Sequence, residues 1–199
     1  GNPTSSVPTT TIGNQGLEPE LADTATIGLV WEPSFVSGLS MSVDYYDIEV
    51  ESLIATLGAQ TILNECYNAP GGIGNPFCTT VNRDPSTFYF VYPAVIAGGI
   101  NFARQQTRGI DYDASYQTTF ENGHRFSIRG IGTQVLEVTN YTNPSDPNVP
   151  NRQLSELGDP EWSFNVDVNY GIGPLDLSYD YRYIGRQIIG GAAYESLHN

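Results

Sequence analysis

Asp111 and Asp113 are the residues most easily imagined doing chemistry here, because two neighbouring carboxylates can divide general acid and base work. Their setting gives them another role. In T-R-G-I-D-Y-D-A-S-Y-Q-T-T-F, Ile110, Tyr112, Ala114, Tyr116 and Phe120 fall on one parity. Asp111, Asp113, Ser115, Gln117 and Thr119 fall on the other. Period two over this length marks a β-strand with an apolar and a polar face. Carboxylates repeating along one face suit a wetted wall, and the aromatic and small aliphatic face suits lipid. The sequence has no G-x-S-x-G, no Walker loop and no H-E-x-x-H. Gly71-Gly72-Ile73-Gly74 sits in an irregular loop and not after a strand, which argues against phosphate binding. No enzyme activity, catalytic residue or cofactor is expected.

Cys66 and Cys78 bound the stretch C-Y-N-A-P-G-G-I-G-N-P-F-C. Two thiols this close in an irregular loop read either as a disulfide of an oxidising compartment or as free thiols in a reducing one. The disulfide is the expectation, and it would stabilise by about 3 kcal/mol, chiefly by restricting the open chain. His124 and His198 lie far from the cysteines in sequence, so no tetrahedral metal site is expected. The same long loop carries Phe88, Tyr89, Phe90 and Tyr92 beside Arg83 and Asp84. Flat rings suit sugars and planar chelates and an arginine suits an anion, so these residues are the candidate ligand contacts. The competing reading is that the rings pack the loop against itself. Asn140-Tyr141-Thr142 matches a glycosylation sequon, a pattern common by chance.

Composition narrows the class. Only 15% of the 199 residues are charged while 12% are aromatic, led by 13 Tyr, which is unusual for a soluble protein. The net charge is -14 and every basic residue is Arg, which argues against a nucleic-acid partner. No run of about 18 apolar residues exists, so no transmembrane helix is expected, but a β-barrel crosses a membrane without one. No signal peptide is visible, and Gly1 reads as a start within a longer protein.

The positioning elements follow from the same period. Residues 1–20 read as a loop, then a strand runs from Thr24 to Trp31 and a turn spans Glu32 to Gly38. A strand from Leu39 flips parity at Tyr45-Tyr46, through a β-bulge or by leaving the lipid band. Ser52 to Gly99 reads as a long irregular region with a short helix over Ser52–Asn64. The hairpin around Asp111 turns at Glu121-Asn122-Gly123, carries Phe126 and Ile128 on one face of its second strand, and continues to about Tyr141. After a polar loop over 142–158, a last hairpin pairs Trp162–Tyr170 with Leu175–Tyr183 around a turn at 171–174. Short and long connections alternate, strands reach about ten residues, and aromatics gather near strand ends, as in transmembrane barrels. Ile110, Tyr112, Ala114, Tyr116, Trp162, Phe164, Val166, Val168, Leu175, Leu177, Tyr179 and Tyr181 are then expected to face lipid. Asp111, Asp113, Asn165, Asp167, Asp176, Asp180 and Arg182 are expected to face the lumen, where Arg125, Arg129 and Arg182 give a second candidate surface. A half-buried soluble β-sandwich is the alternative.

Leu17-Glu18-Pro19-Glu20 with Asp23-Thr24 and Ile27-Gly28-Leu29, then Asn64-Glu65-Cys66-Tyr67-Asn68 and Asn75-Pro76-Phe77-Cys78, form an ordered series. Thr107-Arg108-Gly109-Ile110-Asp111, Glu156-Leu157-Gly158-Asp159-Pro160-Glu161-Trp162 and Tyr181-Arg182-Tyr183-Ile184-Gly185 continue it. In their order and spacing, from about residue 14 to 187, the chain resembles the C-terminal half of the barrel of TonB-dependent outer-membrane receptors. The resemblance implies an all-β fold: an antiparallel transmembrane β-barrel segment, about six strands of a 22-stranded barrel, with short periplasmic turns and long extracellular loops. It implies active uptake of a siderophore, cobalamin or saccharide across the outer membrane of a Gram-negative bacterium. The implied partners are outer-membrane lipid and lipopolysaccharide, a plug domain, the remaining strands, TonB and a small nutrient ligand. No plug, TonB box or closing strand is among these residues, and Leu197-His198-Asn199 falls in an expected outer loop, so residues 1–199 are expected to be part of a barrel domain. A passive porin or a soluble glycan-binding β-sandwich are the other readings.

Overall fold

The computed structural model describes residues 7–68, 74, 76–144, 146 and 148–189. The expectations at Gly71-Gly72-Ile73, at His198 and for the chain's last loop lie outside them. The strands are β1 (Thr9–Thr11), β2 (Leu21–Trp31), β3 (Leu39–Thr56), β4 (Val81–Arg83), β5 (Phe90–Ala97), β6 (Gly99–Thr119), β7 (Arg125–Tyr141), β8 (Asn151–Arg152), β9 (Trp162–Ile172) and β10 (Leu175–Ile184). One helix, α1 (Ala59–Asn68), and a 3-10 turn over Pro76–Thr80 lie between β3 and β4. The fold is thus mostly β, with two compact units. No helix of the described residues is long and apolar enough to cross a membrane.

One unit comprises Gly1–Leu21, Val50–Arg104 and Tyr141–Pro150. Ser52–Gly99 was expected to be largely irregular with a helix from Ser52; instead β3 runs on to Thr56 and α1 starts at Ala59. The physical reason is a small core. Ile62 and Cys66, four apart on one helix face, are buried at 4% and 2% exposure, and Val95 is fully buried. Leu57, Ile62, Val95 and Ala97 form a cluster against which Phe77, Val81, Ile100 and Phe102 pack. Each such side chain removed from water is worth about 1.5–3 kcal/mol, enough to order a long connection. The sheet around Val95 has the order β1-β5-β4. Residues 1–20 are therefore not all loop: Thr9–Thr11 pair in parallel with Val95–Ala97.

The other unit comprises Ala22–Glu49, Gln105–Asn140 and Asn151–Asn199. The larger sheet runs β10-β9-β7-β6-β3-β2, with the short β8 paired to β7. The β9–β10 hairpin is antiparallel from Leu175↔Ile172 to Ile184↔Ser163, so its turn is Gly173-Pro174, narrower than the expected 171–174. Gly173 has φ 57, a left-handed conformation that glycine adopts without a Cβ clash. Gly123 has φ 79 and closes the Glu121-Asn122-Gly123 turn for the same reason. Large apolar residues stay exposed here, among them Ile27 at 73%, Leu29 at 71%, Leu177 at 52% and Tyr179 at 64%. Among the described residues, the outermost strands in the order, β2 and β10, each pair with one strand of the sheet.

Candidate functional site

In the first unit, the site grows from the β4–β5 hairpin. Asp84 shapes its tip by accepting bonds from the Ser86 and Thr87 amides at 2.9 and 2.7 Å and from the Thr87 hydroxyl at 3.0 Å. These donors, the Thr87 amide foremost, hold the Asp84 carboxyl below the usual carboxylate range. Asp84 N–H donates to Tyr89 O and Phe88 N–H donates to Asp84 O, closing the turn. Phe88 sits at φ 61, a conformation that costs a β-carbon residue about 1–2 kcal/mol.

Arg83 is equally committed. Its Nε donates to the Tyr67 hydroxyl and its NH1 to Phe88 O, each at 2.6 Å. Its guanidinium lies 3.9 Å from the Phe90 ring centre and 5.4 Å from that of Tyr67. Two rings and two acceptors thus fix one cation between α1 and the hairpin. Of the aromatic cluster, Phe90 is the ring covered by Arg83, at 38% exposure; Phe88, Tyr89 and Tyr92 stand 70%, 77% and 81% exposed. The hairpin therefore presents rings, while its charged neighbours are spent on holding it.

Cys66 and Cys78 are bonded, and the bridge ties the end of α1 to the 3-10 turn. Asn101 is a clamp that sequence reasoning missed. It accepts from Glu18 N–H at 2.9 Å and donates to Glu18 O at 2.8 Å and Ser52 O at 2.7 Å. Glu20 adds a bond from Ile54 N–H at 2.8 Å. Nothing in a single sequence couples residues this far apart; the signal is the spatial geometry alone. Tyr67 was missed as a partner of Arg83 for the same reason.

In the second unit, register decides which residues share a face. Val166 faces Tyr181 and Gly130, Val168 faces Tyr179 and Ile128, and Tyr170 faces Leu177 and Phe126. Ring contacts run along this side: Tyr112–Trp162, Tyr116–Phe126, Phe126–Tyr170, Phe164–Tyr181 and Phe164–Tyr183. On the alternate parity, Asp167 lies between Asp180 and Arg129, and Asn165 between Arg182 and Ile131. Arg129 pairs with Asp113 at 2.6 Å, Arg125 with Asp176 at 2.8 Å, and the Thr133 hydroxyl donates to Asp111 at 2.6 Å. Arg108 and Glu137 form a further ion pair. An open hollow of about 420 Å³ on the polar side is lined by Asp44, Asp111, Asp113, Thr133, Asn165 and Arg182. Asp111 and Asp113 are thus each engaged by a neighbour on β7, as members of a polar lattice. His124 Nδ1 lies 2.8 Å from the Tyr170 hydroxyl beside the Glu121-Asn122-Gly123 turn.

Comparison with protein families matches residues 1–197 to the family described as TonB dependent receptor-like, beta-barrel. Comparison with curated proteins finds no match.

Proposed function

The chain belongs to the TonB-dependent receptor-like β-barrel family, one of outer-membrane transporters and receptors, and from that premise we propose that it forms part of the wall of a 22-stranded nutrient transporter. The observation that carries this reading is the division of faces across β7, β9 and β10: with the exception of Ile131, rings and aliphatics fall on one parity, and carboxylates and arginines on the other. Ile110, Tyr112, Ala114, Tyr116, Trp162, Phe164, Val166, Val168, Leu175, Leu177, Tyr179 and Tyr181 face lipid. Asp111, Asp113, Asn165, Asp167, Asp176, Asp180 and Arg182 face the lumen and the plug domain seated there. A soluble monomer rarely exposes contiguous apolar patches beyond a few hundred Å², whereas a barrel wall requires one. The short turns face the periplasm and the long connections the cell surface. Energy arrives from TonB through the plug.

Cargo contact falls to the exposed rings Phe88, Tyr89 and Tyr92. Because Arg83 and Asp84 are held by internal bonds, the hairpin recognises flat faces better than charge. That favours a saccharide or a planar aromatic chelate within the siderophore, cobalamin and saccharide range. The test is uptake and affinity in the full receptor after Tyr89→Ala with Tyr92→Ala, with folding verified by heat-modifiable migration. A loss of about five- to 150-fold in affinity is expected, from two stacking contacts of about 0.5–1.5 kcal/mol each. Unchanged uptake across these cargo classes would leave the hairpin a structural lid.

A further inference from the structure

We propose that a hollow in the first unit binds the aliphatic chain of an uncharged amphiphile, with the segment Thr9–Asn14 as a strap along one side. The site is separate from the exposed rings Phe88, Tyr89 and Tyr92, none of which lines it.

The hollow, of about 390 Å³, adjoins the small core, and its apolar walls are Ile12, Leu57, Ile62, Phe77, Ile96 and Ile100. Leu57 and Ile62 are buried members of that core, and Phe77 and Ile100 pack against it. Gly13, Gly98 and Gly99 complete the lining and bring no side chain to fill the space. The strap is fastened along this side. β1 pairs in parallel with β5, Ile12 N–H donates to Ala97 O at 2.9 Å, and the Asn14 side chain donates to Gly99 O at 3.0 Å. A cavity of about 150 Å³ lined by leucine, isoleucine and phenylalanine stays dry and takes up small hydrocarbons. This hollow is larger and falls in the range of small-molecule pockets, about 300–1,000 Å³.

The lining selects the occupant. Among the described residues, no charged side chain lines the hollow. Two of its polar side chains are already committed. Asn14, besides its bond to Gly99 O, accepts from Gly16 N–H at 2.9 Å, and the Thr80 hydroxyl donates to Phe77 O at 2.8 Å. A sugar entering here would give up water without recovering its hydrogen bonds, and an ion would lose more. The walls are aliphatic apart from Phe77, so a flat ring finds one face to stack on. A saturated chain gains dispersion contacts along its whole length. The hollow is open on one side, so the polar end of the amphiphile stays in water.

The probe is decanol, added to the full receptor in phosphatidylcholine nanodiscs. If the strap opens only when the chain has left, amide exchange over residues 9–14 should slow about tenfold at ten times the half-saturating concentration. Each methylene between hexanol and decanol should tighten binding about fourfold. Glucose should leave exchange unchanged, and decanoate should protect less than decanol. A diazirine-bearing decanol should label the peptides holding Leu57–Ile62 and Ile96–Ile100 saturably, and plain decanol should displace it. Ile12→Trp, which fills the hollow from the strap, should lower that labelling at least about fivefold, the loss of about one buried methylene or more. Tyr89→Ala with Tyr92→Ala should leave it unchanged. Unchanged exchange over 9–14, or labelling that never saturates, overturns the proposal in the wild type alone, whether or not Ile12→Trp folds. Equal protection by glucose or by decanoate also overturns it. Displacement of the label by added phosphatidylcholine as fully as by decanol would assign the hollow to a bilayer tail and overturn it. Loss of labelling in the Tyr89, Tyr92 double variant would make the hollow part of the ring surface and overturn it as a separate site.

Discussion

Val166→Arg sets the wall reading against a number. Val166 lies between Tyr181 on β10 and Gly130 on β7, four residues from Trp162 (166 − 162) and six from Ile172 (172 − 166). A strand rising about 3.4 Å per residue and tilted about 40° advances about 2.6 Å per residue along the membrane normal. Val166 then sits about 10 Å inward from Trp162, close to the middle of an apolar band about 25 Å tall. An arginine at that depth should cost about 2–4 kcal/mol. Asn165→Arg, one residue away, points to the polar side between Ile131 and Arg182. Its cost should be below about 1 kcal/mol, chiefly like-charge repulsion from Arg182. Guanidinium unfolding of the full receptor in lipid vesicles, followed by tryptophan fluorescence, measures both. A cost under about 0.5 kcal/mol for Val166→Arg, or an Asn165→Arg cost as large as that of Val166→Arg, would refute the face assignment.

Replacing both Cys66 and Cys78 by Ser should destabilise the first unit by about 3 kcal/mol, seen as faster local proteolysis of 59–83 with barrel migration unchanged. Arg83→Ala removes two ring contacts and two hydrogen bonds, and should loosen the β4–β5 hairpin by about 1–3 kcal/mol, read as hydrogen exchange over residues 83–91. Asp84 has a carboxyl pKa depressed by folding, so its contribution is present above the unfolded pKa and is lost as pH falls through the lower folded value. The Ser86 and Thr87 amides should therefore lose protection, relative to the rest of the hairpin, as pH falls below the ordinary carboxylate range. Asp84→Asn should reproduce that loss at neutral pH, and equal protection in both proteins would contradict it.

Period two carried much of the second unit. Within Trp162–Tyr170 and again within Leu175–Tyr183 the alternation of apolar and polar residues is unbroken, and each strand needs only its neighbour to satisfy the pattern, so local sequence and register agree. The disulfide was legible because Cys66 and Cys78 lie only 12 residues apart in sequence. The first unit was not legible, since its order comes from contacts between distant segments. Val95 is buried because β1 arrives in parallel from 86 residues upstream (95 − 9), Thr9 opposite Val95, a pairing that no local pattern announces. Helix α1 was misplaced because Ser52–Thr56 has no strong strand signal; its strand is set by the pairing of β3 in the larger sheet. The ring cluster was visible as a composition, but its division into one ring covered by a guanidinium and three more exposed ones depends on Arg83 and Tyr67 meeting in space.

Site-directed spin labelling along β9 tests the central claim most directly. Single nitroxides at positions 164–169 of the full receptor in native-like membranes are scored for collision with oxygen, which concentrates in lipid, and with a water-soluble nickel chelate. The account predicts a period-two alternation, with labels at Phe164, Val166 and Val168 favouring oxygen and those at Asn165, Asp167 and Asn169 favouring the chelate. The opposite phase, or no alternation, would contradict it.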